Sequence, residues 1–357
     1  MPPPVAAVPE RRQCIVVGAG LLGLCAAWSL ARRGHDVLVL EAGTPGHARS
    51  GSKGNARIFR LSYADPLYVA LAREAMDRWR DLEAQSGRAL LHQTGLVSFG
   101  QGLAALAEAM AEAGASFEQL TPREGAARFP DLLMEGPSLF EESSGVLVAD
   151  ACLEALCDDG SFEVRTATEV RSIGDERRGA VVHLRDGMRL AADVVVDCAG
   201  AGALALLGGR RPRIAASPSL QQVAYLQALD PDQTVPLFIE WGARMIYGLP
   251  VIGQPLLKLS HHSPGPAASD PDVALDDDAE LLGALADAAG RLLPTFAPTP
   301  VATERCLYDN TIDADFIIDR LGHVVVGCGT SGHGFKFGPL LGELMADLAL
   351  GVEPSFG

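Results

Sequence analysis

The chain is short of positive charge: 29 Lys and Arg face 45 Asp and Glu, a net charge of −16. That balance argues against nucleic acid or an anionic membrane as a partner. A small anionic substrate would then depend on a local cationic pocket. Cysteine is sparse and unpatterned. The seven residues Cys14, Cys25, Cys152, Cys157, Cys198, Cys306 and Cys328 are scattered and odd in number. They form neither a metal-ligand spacing nor a disulfide framework, which points to a reducing, cytoplasmic setting and to no metal. Internal repeats are absent, and Pro264 to Asp278 is the one stretch of biased composition. What is present is a globular balance, with 48% of residues apolar and 21% charged over 357 residues. That length suggests about two domains.

The organising stretch runs from Gln13 to Glu41. An apolar run ends in Gly18-Ala19-Gly20-Leu21-Leu22-Gly23 and an uncharged helical stretch, Leu21 to Ala31, follows. Gly34 stops the helix. A second apolar run, Val37 to Leu40, ends in Glu41. This order predicts a strand–turn–helix–strand unit that grips a dinucleotide. Gly18 permits the tight turn, Gly20 lets backbone approach a pyrophosphate, and Gly23 lets the helix lie close to the strand. Helix N–H groups and dipole hold the phosphates. Glu41 lies where an acid binds a ribose hydroxyl, which favours FAD or NAD over NADP. The unit does not choose between those two.

A membrane or export segment competes for the same residues. Cys14 to Ala31 is 18 residues without a charge, preceded by Arg11-Arg12. Such a length admits a membrane span, and the order resembles a signal peptide. Three glycines, a Trp and a Ser interrupt it, and a second strand follows at once. Pro2 to Glu10 then reads as a disordered leader.

Further along, Pro66 to Gln85 predicts a helix, with Leu67, Val69, Leu71, Met76, Trp79 and Leu82 at helical spacing. Leu90 to Phe99 reads as one or two strands, Leu103 to Glu112 as a helix. Thr121 and Glu124 have capping-box spacing. Gly145 to Val148 reads as a strand and Cys152 to Cys157 as a short helix. Phe162 to Val170, Ala180 to Leu184 and Met188 to Val196 read as strands. The last runs into Asp197 to Gly202, a second strand–glycine element of the kind that touches a cofactor. Ala215 to Gln227 and Thr234 to Leu259 are strand-rich. Asp276 to Leu293 and Leu340 to Leu350 read as helices, with a strand at Val324 to Gly327. Nucleotide-type elements thus alternate with strand-rich ones. The expected fold is α/β (α+β), a Rossmann-like domain interlaced with a mixed-sheet substrate domain. Residues 1–85, 145–212 and 300–357 fall to the first, and 86–144 and 213–299 to the second.

Three constellations carry chemistry. Arg57 and Arg60 follow a Gly-rich loop. Lys258 sits in an apolar strand ahead of His261 and His262. Thr330 to Gly338 sets His333 and Lys336 among glycines. Each has a bland alternative. Paired arginines are usually surface residues, and a strand lysine usually faces solvent. Leu257 and Leu259 flank Lys258, so alternation alone leaves its face open.

The chain resembles the monomeric sarcosine oxidase and N-methyl amino acid oxidase family, within the D-amino-acid-oxidase-like flavoproteins. The likeness spans Cys14 to Leu350. It rests on GAGLLG with Glu41; on Gly51 to Tyr63, followed by Tyr68 and Trp79; on Tyr247 to His262; and on Cys306 to Asp319 with Gly329 to Pro339. The resemblance implies FAD, attached covalently through Cys306. It implies a substrate-carboxylate clamp of Arg60 and Lys336, and Lys258 as the cation that activates O₂. Tyr247, His262 and Tyr308 become pocket residues around the amine. Gly18, Gly20, Leu22, Gly23, Glu41, Ser52 and Arg57 would contact the cofactor, as would Val170, Gly200, Gly332, His333, Gly334 and Lys336.

The chain departs from relatives in three places. Asp197 to Gly202 lacks a tryptophan, Cys152 to Thr168 is shortened, and Pro264 to Asp278 is proline-rich. The implied activity is oxidation of a small secondary amine or amino acid, such as a sarcosine, N-methyl or pipecolate-like substrate. Hydride passes to flavin, the imine hydrolyses and O₂ becomes hydrogen peroxide. A monomer is expected. The alternatives are a dehydrogenase with another electron acceptor, a biosynthetic imino acid oxidase, and a flavin-binding subunit without turnover.

Overall fold

A computed structural model describes residues 10–210, 212, 215–232, 235–243, 245–268 and 276–353. Residues 2–9 of the expected leader Pro2 to Glu10, and residues 269–275 of the biased segment, lie outside them. Glu10 does not belong to a leader. It opens the first strand, Glu10–Val17, opposite Leu190, and its carboxylate binds Arg12 and Arg165.

That strand is the centre of an eight-stranded sheet. It pairs in parallel with Val37–Leu40 on one side and Arg189–Asp197 on the other. Its second half and all of Val37–Leu40 are buried, as a parallel sheet covered on both faces requires. Arg189–Asp197 pairs with Gly179–Leu184 along its first half and with Val324–Cys328 along its second. The helix Leu21–Arg32 covers one face and packs against the closing helix Gly338–Leu350. Cys14, Cys25 and Cys198 are buried.

The expected strand from Phe162 to Val170 is in fact two. Glu163–Arg165 pairs with Val37–Leu40 at one edge, whereas Val170–Glu176 pairs with Gly179–Leu184 at the other. The chain crosses between them through Ala167, at φ 49°. Glu41 N–H donates to Arg165 O, and Glu41 O accepts from Thr168 N–H.

The second eight-stranded sheet runs Ala302–Asn310, Ser217–Gln227, Leu256–His261, Ile246–Pro250, Leu237–Trp241, Leu96–Gly100, Ser138–Glu141, Glu118–Leu120. The strand that carries Cys306 therefore belongs to this sheet, although residues 300 onward were assigned by sequence to the nucleotide-binding unit. Helix Ala279–Leu292 covers the face bearing Leu257 and Leu259. A small third sheet joins Arg57–Phe59, Gly145–Leu147 and Leu91–His92. Helix Pro66–Ser86 packs Val69, Trp79 and Leu82 into the core, but Leu67 in its first turn is 60% exposed. No helix among the described residues is long and apolar enough to cross a membrane.

Candidate active site

A cavity of about 810 Å³ lies between the two large sheets. That is in the upper part of the range for small-molecule sites. Its lining carries eight Arg or Lys against four Asp or Glu, the reverse of the whole chain's balance. Every site residue expected from sequence lines it except Gly23.

One end is a backbone cradle. Gly18 sits at φ +97°, and a Cβ there would meet Cys198 O at 2.5 Å. Gly23 acts behind the wall. A Cβ on it would fall 1.9 Å from Gly18 O, so only glycine lets the helix lie this close to the strand. Ser52 Oγ accepts from Leu21 N–H at 2.9 Å and ties the second loop to the helix start. The buried Glu41 carboxylate accepts from Ala19 N–H and Gly43 N–H, each at 2.8 Å, which fixes it at the strand end. Val170 and Gly200 complete this end. Gly-rich backbone, a helix N-terminus and a fixed acid fit a dinucleotide.

The other end is built from side chains. Lys258 faces the cavity because strand alternation turns Leu257 and Leu259 under the helix. Its Nζ donates to Ala56 O at 3.3 Å. Burial, with Arg57 nearby, lowers its pKa to about 7. Tyr308 and Cys306 project from one face of the same strand into the cavity, and Tyr247 enters from Ile246–Pro250. Burial raises the phenol pKa of both tyrosines. His262 lies beyond the strand end. Burial, with Arg60 and Lys336 close by, pushes its pKa down to about 3, so the imidazole is neutral.

Arg57 and Arg60 diverge. Arg57 donates to the carbonyls of Gly51, Lys53 and Ala56, holding the Gly-rich loop, and stacks over Phe335. Arg60 donates to Ser62 O and lies between the rings of Tyr63 and Trp241. Lys336 follows Gly332, His333 and Gly334, and its Nζ donates to His333 O at 2.8 Å. Burial and Arg60 hold the Lys336 pKa well below its usual range.

Arg60, Lys258 and Lys336 are 5%, 6% and 4% exposed. None of the three forms an ion pair among the described residues. Their hydrogen bonds go to neutral groups, Ser62 O, Ala56 O, the Tyr63 hydroxyl and His333 O, and a buried cation without an ion-pair partner is costly.

Sequence reasoning missed two cavity residues on the Cys306 strand. Glu304 accepts from Tyr225 O–H at 3.0 Å. Asp309 accepts from Gly329 N–H at 2.6 Å, Thr330 N–H at 3.1 Å and Thr330 Oγ1–H at 2.8 Å, pinning the loop that leads to Lys336. Glu304 was findable, because a strand places residues two and four apart on one face, and 304, 306 and 308 share it. Asp309 had no local signal, since its partners lie 20 residues on.

Residues 13–348 match the family described as FAD dependent oxidoreductase (DAO). The chain is 30% identical to peroxisomal sarcosine oxidase of Homo sapiens, covering 99% of this chain and 95% of that one. It is 30% identical to monomeric sarcosine oxidase of Bacillus sp. (strain B-0618), over 94% of this chain and 91% of the relative. Among solved structures it is similar to the open form of NikD, an unusual amino acid oxidase essential for nikkomycin biosynthesis. There the TM-score is 0.87 at 25% identity, covering 98% of this chain and 96% of that one. Cradle, acid and buried cations thus stand on a sequence match over nearly the whole chain, and the protein belongs to the FAD dependent oxidoreductase family, in its sarcosine oxidase group.

Proposed function

We propose that the protein is an oxidase of a small secondary amino acid, of the sarcosine, N-methyl or pipecolate type, that uses O₂ and releases hydrogen peroxide. The observation that carries this reading is the trio Arg60, Lys258 and Lys336, buried around one cavity without ion-pair partners among the described residues.

FAD, when bound, supplies the two-electron redox chemistry. Gly18, Gly20, Leu22 and Glu41 would hold its nucleotide end, with Ser52, Arg57, Val170, Gly200, Gly332, His333 and Gly334 along its length and Gly23 in support. Cys306 would carry a covalent thioether.

Arg60 and Lys336 take the substrate carboxylate, as paired hydrogen-bonding cations do for an anion out of water. The carboxylate so held fixes the carbon next to nitrogen against the cofactor. Neutral His262 accepts a hydrogen bond from the amine, with Tyr247 and Tyr308 walling the pocket. Lys258 supplies a fixed positive charge where O₂ gains negative charge. The chain divides into an FAD-binding unit (1–85, 145–212, 300–357) and a substrate unit (86–144, 213–299), with the Cys306 strand lent to the second sheet. A cytoplasmic monomer fits this reading. The likeness to NikD favours one second reading, a biosynthetic oxidase of a cyclic imino acid.

Peroxide release with sarcosine, pipecolate, proline and N-methyl amino acids tests the reading. Flavin-loaded protein that yields no peroxide with any of them defeats it. In Lys258→Met, flavin reoxidation by O₂ should slow about 10²–10³-fold while reduction by substrate changes far less. Both steps unchanged would remove Lys258 from the oxygen reaction and return the dehydrogenase alternative. Cys306 is tested by acid precipitation: flavin should stay with the wild-type polypeptide and leave with Cys306→Ala.

A further inference from the structure

Tyr63 lies behind the cavity wall and has no role in the reading above, yet it touches both cations of the clamp. It is 9% exposed. Lys336 Nζ lies 3.0 Å from its hydroxyl oxygen. The Arg60 guanidinium carbon lies 3.8 Å from its ring centroid. Tyr68 stacks on the ring at 5.2 Å, interplanar 24°.

Proton bookkeeping gives this arrangement a direction. A backbone carbonyl only accepts, so His333 Nε2–H donates to Ala314 O at 2.9 Å. A neutral ring has then placed its one proton and Nδ1 is bare. The Tyr63 O–H, 3.2 Å away, donates to Nδ1, and the Tyr63 oxygen accepts from Lys336 Nζ. Donation runs one way, from Lys336 through Tyr63 and His333 to a backbone carbonyl. A protonated His333 would break it by turning a second donor toward Tyr63. Burial and Lys336 already hold the His333 pKa well below its usual range, in the same direction.

Lys336 spends one N–H on His333 O and one on Tyr63, so in its charged form, the form a bound carboxylate favours, the third is left for the cavity it lines. Arg60 lies over the Tyr63 ring as a cation on a π face, a contact that uses no N–H, so that beyond the one donated to Ser62 O its N–H groups are not spent on Tyr63.

We propose that Tyr63 is the positioning residue of the carboxylate clamp: its hydroxyl aims the Lys336 ammonium, and its ring seats the Arg60 guanidinium, toward an incoming carboxylate. This rests on the reading of Arg60 and Lys336 as that clamp. The hydroxyl and the ring serve different cations, so Tyr63→Phe removes one function and keeps the other.

The test is acetate titrated into the flavin-loaded protein and read by flavin absorbance, in wild type, Tyr63→Phe, Lys336→Met and the double variant. Tyr63→Phe should keep its flavin and bind acetate about tenfold more weakly, the size of a lost hydrogen bond to a charged group. The double variant should bind no more weakly than Lys336→Met alone, because the hydroxyl acts through the ammonium. Tyr63→Phe binding within twofold of wild type overturns the proposal. So do strictly additive losses, which would make Tyr63 ordinary core. Wild-type protein blind to acetate defeats the clamp reading itself, a separate failure. Should the Phe variant lose its flavin, 4-fluorophenylalanine at position 63 decides by the same criteria in a ring of nearly equal size.

Discussion

At the Gly18 end of the cavity the walls are backbone, and at the Lys258 end they are charged side chains. The first end comes largely from one contiguous stretch, in which Gly18, Gly20, Gly23 and Glu41 lie within a single strand–helix–strand unit. The second draws Arg60, Tyr247, Lys258, Cys306 and Lys336 from widely separated segments. A backbone cradle recognises a group common to many ligands, and at Gly18 and Gly23 it has no room for an added Cβ. A side-chain clamp can be changed one residue at a time, so it is where specificity is set. The two ends should therefore fail differently when mutated.

The largest effect should come from the cradle. Gly23→Val places its Cβ against Gly18 O, a backbone atom that cannot step aside. The variant should be purified without flavin, as read by the ratio of flavin to protein absorbance. A yellow Gly23→Val with wild-type stoichiometry would break the contrast.

Lys336→Met should do the opposite and keep its flavin. Its kcat/KM for the amino acid should fall by about 10²–10³-fold, the scale for truncating one partner of a buried charge pair. An N-methyl amine without a carboxylate should show almost no change. A uniform loss on both substrates would mean that Lys336 shapes the site and does not read the carboxylate.

A smaller effect comes from pH. Lys336 has its pKa lowered in the free protein, and a bound carboxylate favours its charged form. Below the lowered pKa the ammonium is already present and acetate affinity is flat. Above it, binding must take up a proton, and affinity should fall by about tenfold per pH unit. Affinity that stays flat through that region would remove Lys336 from the clamp.

The smallest effect concerns a carboxyl that neither end uses. Asp197 is fully buried, one of its oxygens has no partner among the described residues, and burial raises its pKa to about 8. Between about pH 4, where it ionises when unfolded, and pH 8 the folded chain holds one more proton. Stability therefore falls as pH rises through that window, and the loss is complete above it. Asp197→Asn mimics the protonated form. It should raise Tm by about 5 °C near pH 8 and leave it unchanged near pH 4.

What was legible in sequence follows the same division. The cradle is written locally, in glycines and an acid at fixed spacing. So is the capping box at Thr121, whose side chain and that of Glu124 bond reciprocally. The face of Lys258 was not legible, because Leu257 and Leu259 flank it symmetrically. It is settled by the helix Ala279–Leu292, which covers the leucines. The break between Glu163–Arg165 and Val170–Glu176 was hidden because the two halves pair at opposite edges of one sheet. The clamp residues were reached through the family resemblance, and residue types alone had left each of them open. Asp309 stayed invisible because its work is done on backbone 20 residues away.

The sheet membership of the Cys306 strand has a further consequence. Gly18 and Glu41 belong to one sheet and Cys306 to the other, so a ligand that filled the cavity would touch both halves of the molecule. A freely exchanging ligand stabilises such a pair by mass action, and the benefit drains away on dilution. A thioether at Cys306 would remove that dependence, since the bound group could no longer leave. The protein's unfolding temperature would then be the same in a nanomolar assay as in a concentrated stock, whereas Cys306→Ala would soften as it was diluted.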